Sequence, residues 1–137
     1  MLVVDTGVLF AVADAADQDH AASDELLASR PARELLVPTP VIVEASWLIE
    51  SRLGPGAEAA FLMSLAAGEL VRVDLLDQDW DRVVELVVQY ADLGLGLVDA
   101  SVVAVAERYQ TATLATLNHR DFGVVRPRHV DAFELLP

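Results

Sequence analysis

The chain has 137 residues, enough for one domain with a sizeable core and too few for two. Apolar residues make up 54 % of it and aromatics only 6 %, so the core is built mainly from Leu, Val and Ala, which argues against disorder. Acids number 22 against nine bases, every one of them Arg, for a net charge of −13; without Lys or Cys the chain has no Schiff-base lysine, P-loop, disulfide or thiolate metal site.

No apolar run approaches the roughly 18 residues of a membrane span. The first residues also lack the basic region of a signal peptide, so the expectation is a cytoplasmic protein with no membrane association. An acidic surface repels nucleic acid, because phosphates are ordinarily neutralised by Lys and Arg. A nucleic-acid function would therefore need metal ions or a local Arg cluster to overcome the field.

In chain order, Leu2-Val3-Val4 reads as a buried strand that stops at Asp5-Thr6-Gly7. Val8 to Ala13 follows as an apolar helical turn or two, and Asp19 is placed to cap a helix running to about Arg30. Asp14, Asp17, Asp19 and Asp24 with His20 lack the Gly and terminal Glu of a calcium loop, and read as a solvated loop with a helix cap. A second strand is expected over Glu34 to Val37. Thr39-Pro40 then opens a helix over Val41 to Leu53, stopped by Gly54-Pro55-Gly56.

Beyond that stop, a helix from about Gly56 to Ala67 leads to a third strand, Leu70 to Leu75. Asp77 to Tyr90 is helical, capped by Asp77, with acids and Arg on one side; Leu97 to Tyr109 is helical again. Ala112 to Leu117 is a Thr-rich fourth strand, and Val124-Val125 is the candidate fifth. Strands alternating with helices predict an α/β fold, a parallel sheet covered on both faces, in one domain spanning residues 1 to 137.

Most acids read as a solvated face, as Glu85 does with Asp81, Arg82, Val88 and Gln89 at its i±3 and i±4 positions. Glu44 and Asp99 do not. Glu44 has Pro40, Val41, Trp47 and Leu48 at its i±3 and i±4 positions, and Asp99 has Leu95, Gly96, Val102 and Val103. Each is expected to project from an apolar stripe facing the core or a cleft. An ionised carboxylate buried there costs several kcal/mol unless it meets a cation, a metal or a backbone donor. With Asp5 at a strand end, where parallel sheets bind ligands, a shared divalent cation is the simplest account of all three. Asn118, at the end of the fourth strand, reads either as a ligand through its amide oxygen or as a turn residue.

These residues resemble the PIN-domain ribonucleases, and within them the VapC-type toxins of toxin-antitoxin pairs. The likeness spans the chain: Val4-Asp5-Thr6, Val43-Glu44-Ala45, Val98-Asp99-Ala100-Ser101, and Ala115-Thr116-Leu117-Asn118 followed by Arg120-Asp121-Phe122. It implies a three-layer α/β/α fold around a parallel sheet of four or five strands. It also implies that Asp5, Glu44 and Asp99 hold Mg²⁺ or Mn²⁺, steadied by Thr6 and Thr116. Many members carry a fourth acid where Asn118 stands, so the second metal position is in question here, and Asp121 is the carboxylate placed to replace it or to cap a helix. Ser101 can orient a ligand or pack its hydroxyl within the helix.

The activity implied is endonucleolytic hydrolysis of RNA by a cation-activated water, leaving 5′-phosphate and 3′-hydroxyl ends, with Asp5, Glu44, Asp99 and Asn118 as the catalytic set. Also implied are a homodimer and a small VapB-type antitoxin that covers the acids. The helix over Val41 to Leu53 and its successor offer Trp47, Leu48, Phe61, Leu62 and Met63, either for partners or for the core. Arg120, Arg126 and Arg128 make the most basic segment, a candidate RNA contact; His20, His119 and His129 have no partners that suggest catalysis. Competing readings are a non-catalytic PIN-like module that binds RNA or protein through an impaired metal site, and a receiver-type phosphotransfer domain, disfavoured by the missing Lys.

Overall fold

The computed structural model describes all 137 residues. Its centre is a parallel sheet ordered β3-β2-β1-β4-β5, with β1 at Leu2–Val4, β2 at Leu35–Pro38, β3 at Val71–Val73, β4 at Thr113–Ala115 and β5 at Glu134–Leu136. Seven helices flank it: α1 (Thr6–Ala13), α2 (His20–Ala28), α3 (Thr39–Leu53), α4 (Pro55–Ala66), α5 (Asp77–Gln89), α6 (Leu97–Arg108) and α7 (His119–Val124). Crossovers carry the chain outward from β1 to β3 and then back through α5 and α6 to β4. That return reverses the strand order beside β1, which makes the carboxyl ends of β1 and β4 the sheet's ligand-binding edge.

The three residues of β1 are wholly buried, as a central parallel strand requires. Val3 lies opposite both Leu36 and Leu114, so the middle of the sheet is an aliphatic layer. On α3 the inward face is Val41, Ala45 and Ile49, one residue per turn, all with no exposed surface. Gly54, at φ 92°, turns the chain between α3 and α4 in a conformation that side chains disfavour. No helix is long and apolar enough to cross a membrane.

Several expectations are corrected. Val124 ends α7 and Val125 follows it, so neither belongs to a strand; the fifth strand is Glu134–Leu136, an edge strand paired only with β4. Edge strands need only one apolar face, which leaves Glu134-Leu135-Leu136 with little sequence signal. Asp19 precedes α2 without capping it, and α5 is capped by Asp79, whose Oδ2 accepts from the Leu76 N–H at 2.9 Å, not by Asp77. Of the two settings expected for Glu44, the core or a cleft, it takes the second: it is exposed on the flank of α3 and lines a shallow cleft with Val43 and Trp47, which are 64 % and 67 % exposed.

Behind the sheet edge, Phe122 fixes α7 to the core with 1 % of its surface exposed. Phe122→Ala is expected to destabilise the protein by about 3–5 kcal/mol in urea unfolding. Val124→Ala, on the exposed side of the same helix, should change stability by no more than about 0.5 kcal/mol.

Candidate active site

Asp5 stands where β1 ends and α1 begins. Its backbone N–H continues the sheet ladder to the Ala115 carbonyl at 2.9 Å, so Asp5 and Thr116 lie side by side on adjacent strand ends. The carboxylate is tied at both oxygens: Oδ1 accepts from the Thr6 N–H at 2.8 Å, and Oδ2 accepts from Thr116 Oγ1 at 2.8 Å. Only 6 % of Asp5 is exposed, and burial raises its pKa above the usual carboxylate range. The two hydrogen bonds oppose that rise, and the negative charge of Glu44 adds to it.

Asp99 lies in the first turn of α6, where the aligned peptide dipoles favour an anion. Its pKa is nonetheless pushed up to about 6, first by burial and then by the charges of Asp5, Glu44 and Asp121. Four carboxylates thus converge electrostatically at one edge of the sheet. Neither Asp5, Glu44 nor Asp99 takes part in any ion pair of the molecule. Elsewhere the chain does pair its buried acids: Asp79 meets Arg108 at 2.9 Å, and Glu107 meets the buried Arg82 at 2.7 Å.

Thr116 and Asn118 close the site from β4. Thr116 Oγ1, while donating to Asp5, accepts from the Asn118 N–H at 3.0 Å. The Asn118 amide oxygen, expected as a ligand atom, accepts from the Asp121 N–H at 3.2 Å, and its Nδ2 donates to Asp121 Oδ2 at 2.9 Å. That amide bond, followed by the ion pair with Arg120, lowers the Asp121 pKa. Ser101 is wholly buried and donates to the Val98 carbonyl at 2.6 Å, so its hydroxyl serves the helix.

The three arginines separate. Arg120 reaches Asp121 at the site, at 3.1 Å, with 84 % of its side chain exposed. Arg126 turns back to the Gly123 carbonyl at 2.8 Å, and Arg128 pairs with Glu85 while its N–H donates to Glu107. Glu107 is eight residues beyond Asp99 on α6, about 12 Å along the axis, which takes Arg128 away from the acids. The histidines are structural staples: ring nitrogens of His20, His119 and His129 lie 2.8, 3.0 and 2.7 Å from the carbonyls of Ala11, Thr116 and Thr111, so each must donate there.

A divalent cation fits this edge in donor type and charge. The donors are all oxygen, as Mg²⁺ and Mn²⁺ prefer, and Asp5, Glu44 and Asp99 lack a cationic partner. Thr6 Oγ1, on the residue after Asp5, is buried with no hydrogen-bond partner. The fit does not extend to a preset cage, since no three His, Asp or Glu side chains converge closely enough to hold a metal ion. Glu44 itself lines a shallow pocket of about 520 Å³ with Pro40, Val43, Trp47, Leu97 and Val98, the cleft expected as one of its two settings.

Fold and site together define a class: the chain belongs to the PIN-domain family, whose model matches residues 2–126. Within that family it is of the VapC type. It is 35 % identical over 136 residues to ribonuclease VapC26 of Mycobacterium tuberculosis, a match covering 99 % of this chain and all of that one. Its fold is similar to the crystal structure of M. tuberculosis VapC20, described as a sarcin-ricin loop cleaving toxin (TM-score 0.76, 22 % identity, 83 % of this chain and 87 % of that one). It is also similar to VapBC2 of Rickettsia felis, crystallised with a promoter DNA fragment (TM-score 0.70, 17 % identity, 99 % and 98 % covered).

The raised Asp99 pKa sets a pH dependence. Between about pH 4 and 6 the folded chain holds a proton on Asp99 that the unfolded chain releases, so this group favours folding more as pH falls through 6. Asp99→Asn, which removes the charge, should melt above the unsubstituted protein at pH 7.5. Circular dichroism melts should show that gap closing as the pH falls toward 4.

Proposed function

We propose that the chain is a Mg²⁺- or Mn²⁺-dependent endoribonuclease toxin held in check by a cognate VapB-type antitoxin. The observation that carries this is the placing of Asp5, Glu44 and Asp99 at one sheet edge without an arginine partner, where burial first, and then the charges of Asp5, Glu44 and Asp121, push the Asp99 pKa up to about 6. The 35 % identity to ribonuclease VapC26 supports RNA as the substrate. Asp5, Glu44 and Asp99 would hold the cation, whose chemistry when bound is activation of water and neutralisation of phosphoryl charge.

The chain's own contribution is orientation. Thr116 and the Thr6 N–H fix the Asp5 carboxylate, and the start of α6 presents Asp99 from the facing helix. Arg120 is the arginine at the acidic edge, and its exposed guanidinium is placed to meet an RNA phosphate. A non-catalytic module is the second reading, favoured by the lack of a preset metal cage.

Partners follow from surfaces that the core leaves uncovered. A groove between α1, α2 and α4, lined by Leu9, Val12, Leu27, Ala57, Phe61 and Leu70, suits an amphipathic helix of the antitoxin. The exposed Val43 and Trp47 of α3 suit a homodimer contact. Trp47→Glu is expected to shift the protein toward monomer in sedimentation velocity.

Cleavage of a structured RNA in Mn²⁺, followed on denaturing gels, tests the activity. Asp5→Asn and Asp99→Asn should each slow cleavage at least about a hundredfold with unchanged circular dichroism, and chelation should stop it. Equal cleavage by both variants would remove these residues from the site, and intact RNA with the unsubstituted protein would leave the binding module.

A further inference from the structure

The outer side of α5 carries an apolar row that the fold does not use. Asp79, Arg82, Val83 and Leu86 are the buried positions of this helix, and Asp79 and Arg82 pair with Arg108 and Glu107 of α6. Trp80, Val84 and Val88 recur four residues apart, each about 40° further round the axis, so they follow one side of the helix. Leu76, just before the first turn, continues the row. Exposure rises along it, from about half at Leu76 and Trp80 to 62 % at Val84 and 72 % at Val88, and none of the four belongs to the core cluster. A single exposed Val needs no account, but a row of four does.

The charges beside the row are of one sign. Asp77 and Asp81, one turn apart on the same side of α5, are exposed and take part in no ion pair of the molecule. The nearby cations are committed elsewhere: Arg82, Arg108 and Arg128 pair with Asp79, Glu85 and Glu107.

We propose that this side of α5 docks a basic amphipathic helix of a partner chain, with its apolar residues on Trp80, Val84 and Val88 and its Lys or Arg residues on Asp77 and Asp81. Charge complementarity selects this occupant. The two acids repel RNA phosphates and anionic lipid headgroups alike. A second copy of this chain would bring the same Asp77 and Asp81 against them, with a further net charge of −13. From Leu76 to Val88 the row is about 18 Å long, which matches about three turns of a partner helix. It shares no residue with the groove between α1, α2 and α4, so the two surfaces are separate.

The probe is a synthetic Leu/Lys peptide with its leucines on one helical face. In a Trp47→Phe background, which leaves Trp80 as the sole tryptophan, this peptide should shift the Trp80 emission to the blue. A peptide of the same composition with its leucines spread round the helix should not. Val84→Asp should weaken binding at least about tenfold, and Val88→Asp serves the same purpose if the first variant does not fold. Asp81→Asn should weaken it about threefold in low salt and have no effect in high salt. Equal binding of both peptides, or binding that the Val84 and Val88 variants leave unchanged, overturns the docking site. Sedimentation of the peptide-free protein as a dimer that Val84→Asp dissociates puts a second copy on the row and overturns the basic partner.

Discussion

The hydrogen bond from Thr116 to Asp5, 2.8 Å long and closed to solvent, is the contact on which the acidic edge depends. It links the ends of two adjacent parallel strands, so the position of one carboxylate is set by the register of the sheet itself. Burial raises the cost of charge on Asp5, and this bond with that from Thr6 recovers part of it. The central strand, the return of the chain through α6 and the turn into α7 all meet at this contact.

The molecule treats its acids in two ways. Around α5 and α6, Asp79 and Glu107 are matched with Arg108 and Arg82, and the buried charges cancel locally. At the sheet edge, Asp5, Glu44 and Asp99 have no such match, and the pKa values of Asp5 and Asp99 rise, first through burial and then through the negative charges beside them. Structural acids receive arginine, whereas these three receive none. Mutual repulsion that serves no packing purpose marks a functional site in physical terms.

The fold was legible where periodicity is strong. Leu2 to Val4, the α3 stripe and the Gly54-Pro55 break leave unambiguous local patterns, and the alternation of strand and helix sets the parallel sheet. Glu134–Leu136 was not legible, because a three-residue edge strand is defined by its partner and not by its own sequence. Asp5 and Asp99 stood out by carrying charge amid aliphatics. Glu44 stood out for its apolar i±3 and i±4 neighbours, of which Val41 is buried while Trp47 faces outward over the cleft that Glu44 lines. What no local pattern encodes is hydrogen-bond direction: that Asn118 turns its amide toward Asp121, or that Arg128 turns toward Glu85, appears only once the chain is folded.

The unmatched acids have a consequence for the molecule as a whole. Carboxylates that repel one another in the native state relax when the chain unfolds and they separate, so the acidic edge weakens the very fold that builds it. Any cation that binds the folded edge and not the open chain restores that stability by mass action, in proportion to the logarithm of its concentration. With such a cation, folding and occupancy would be linked equilibria of one chain, and the ionic composition of its surroundings would set the stability of the fold.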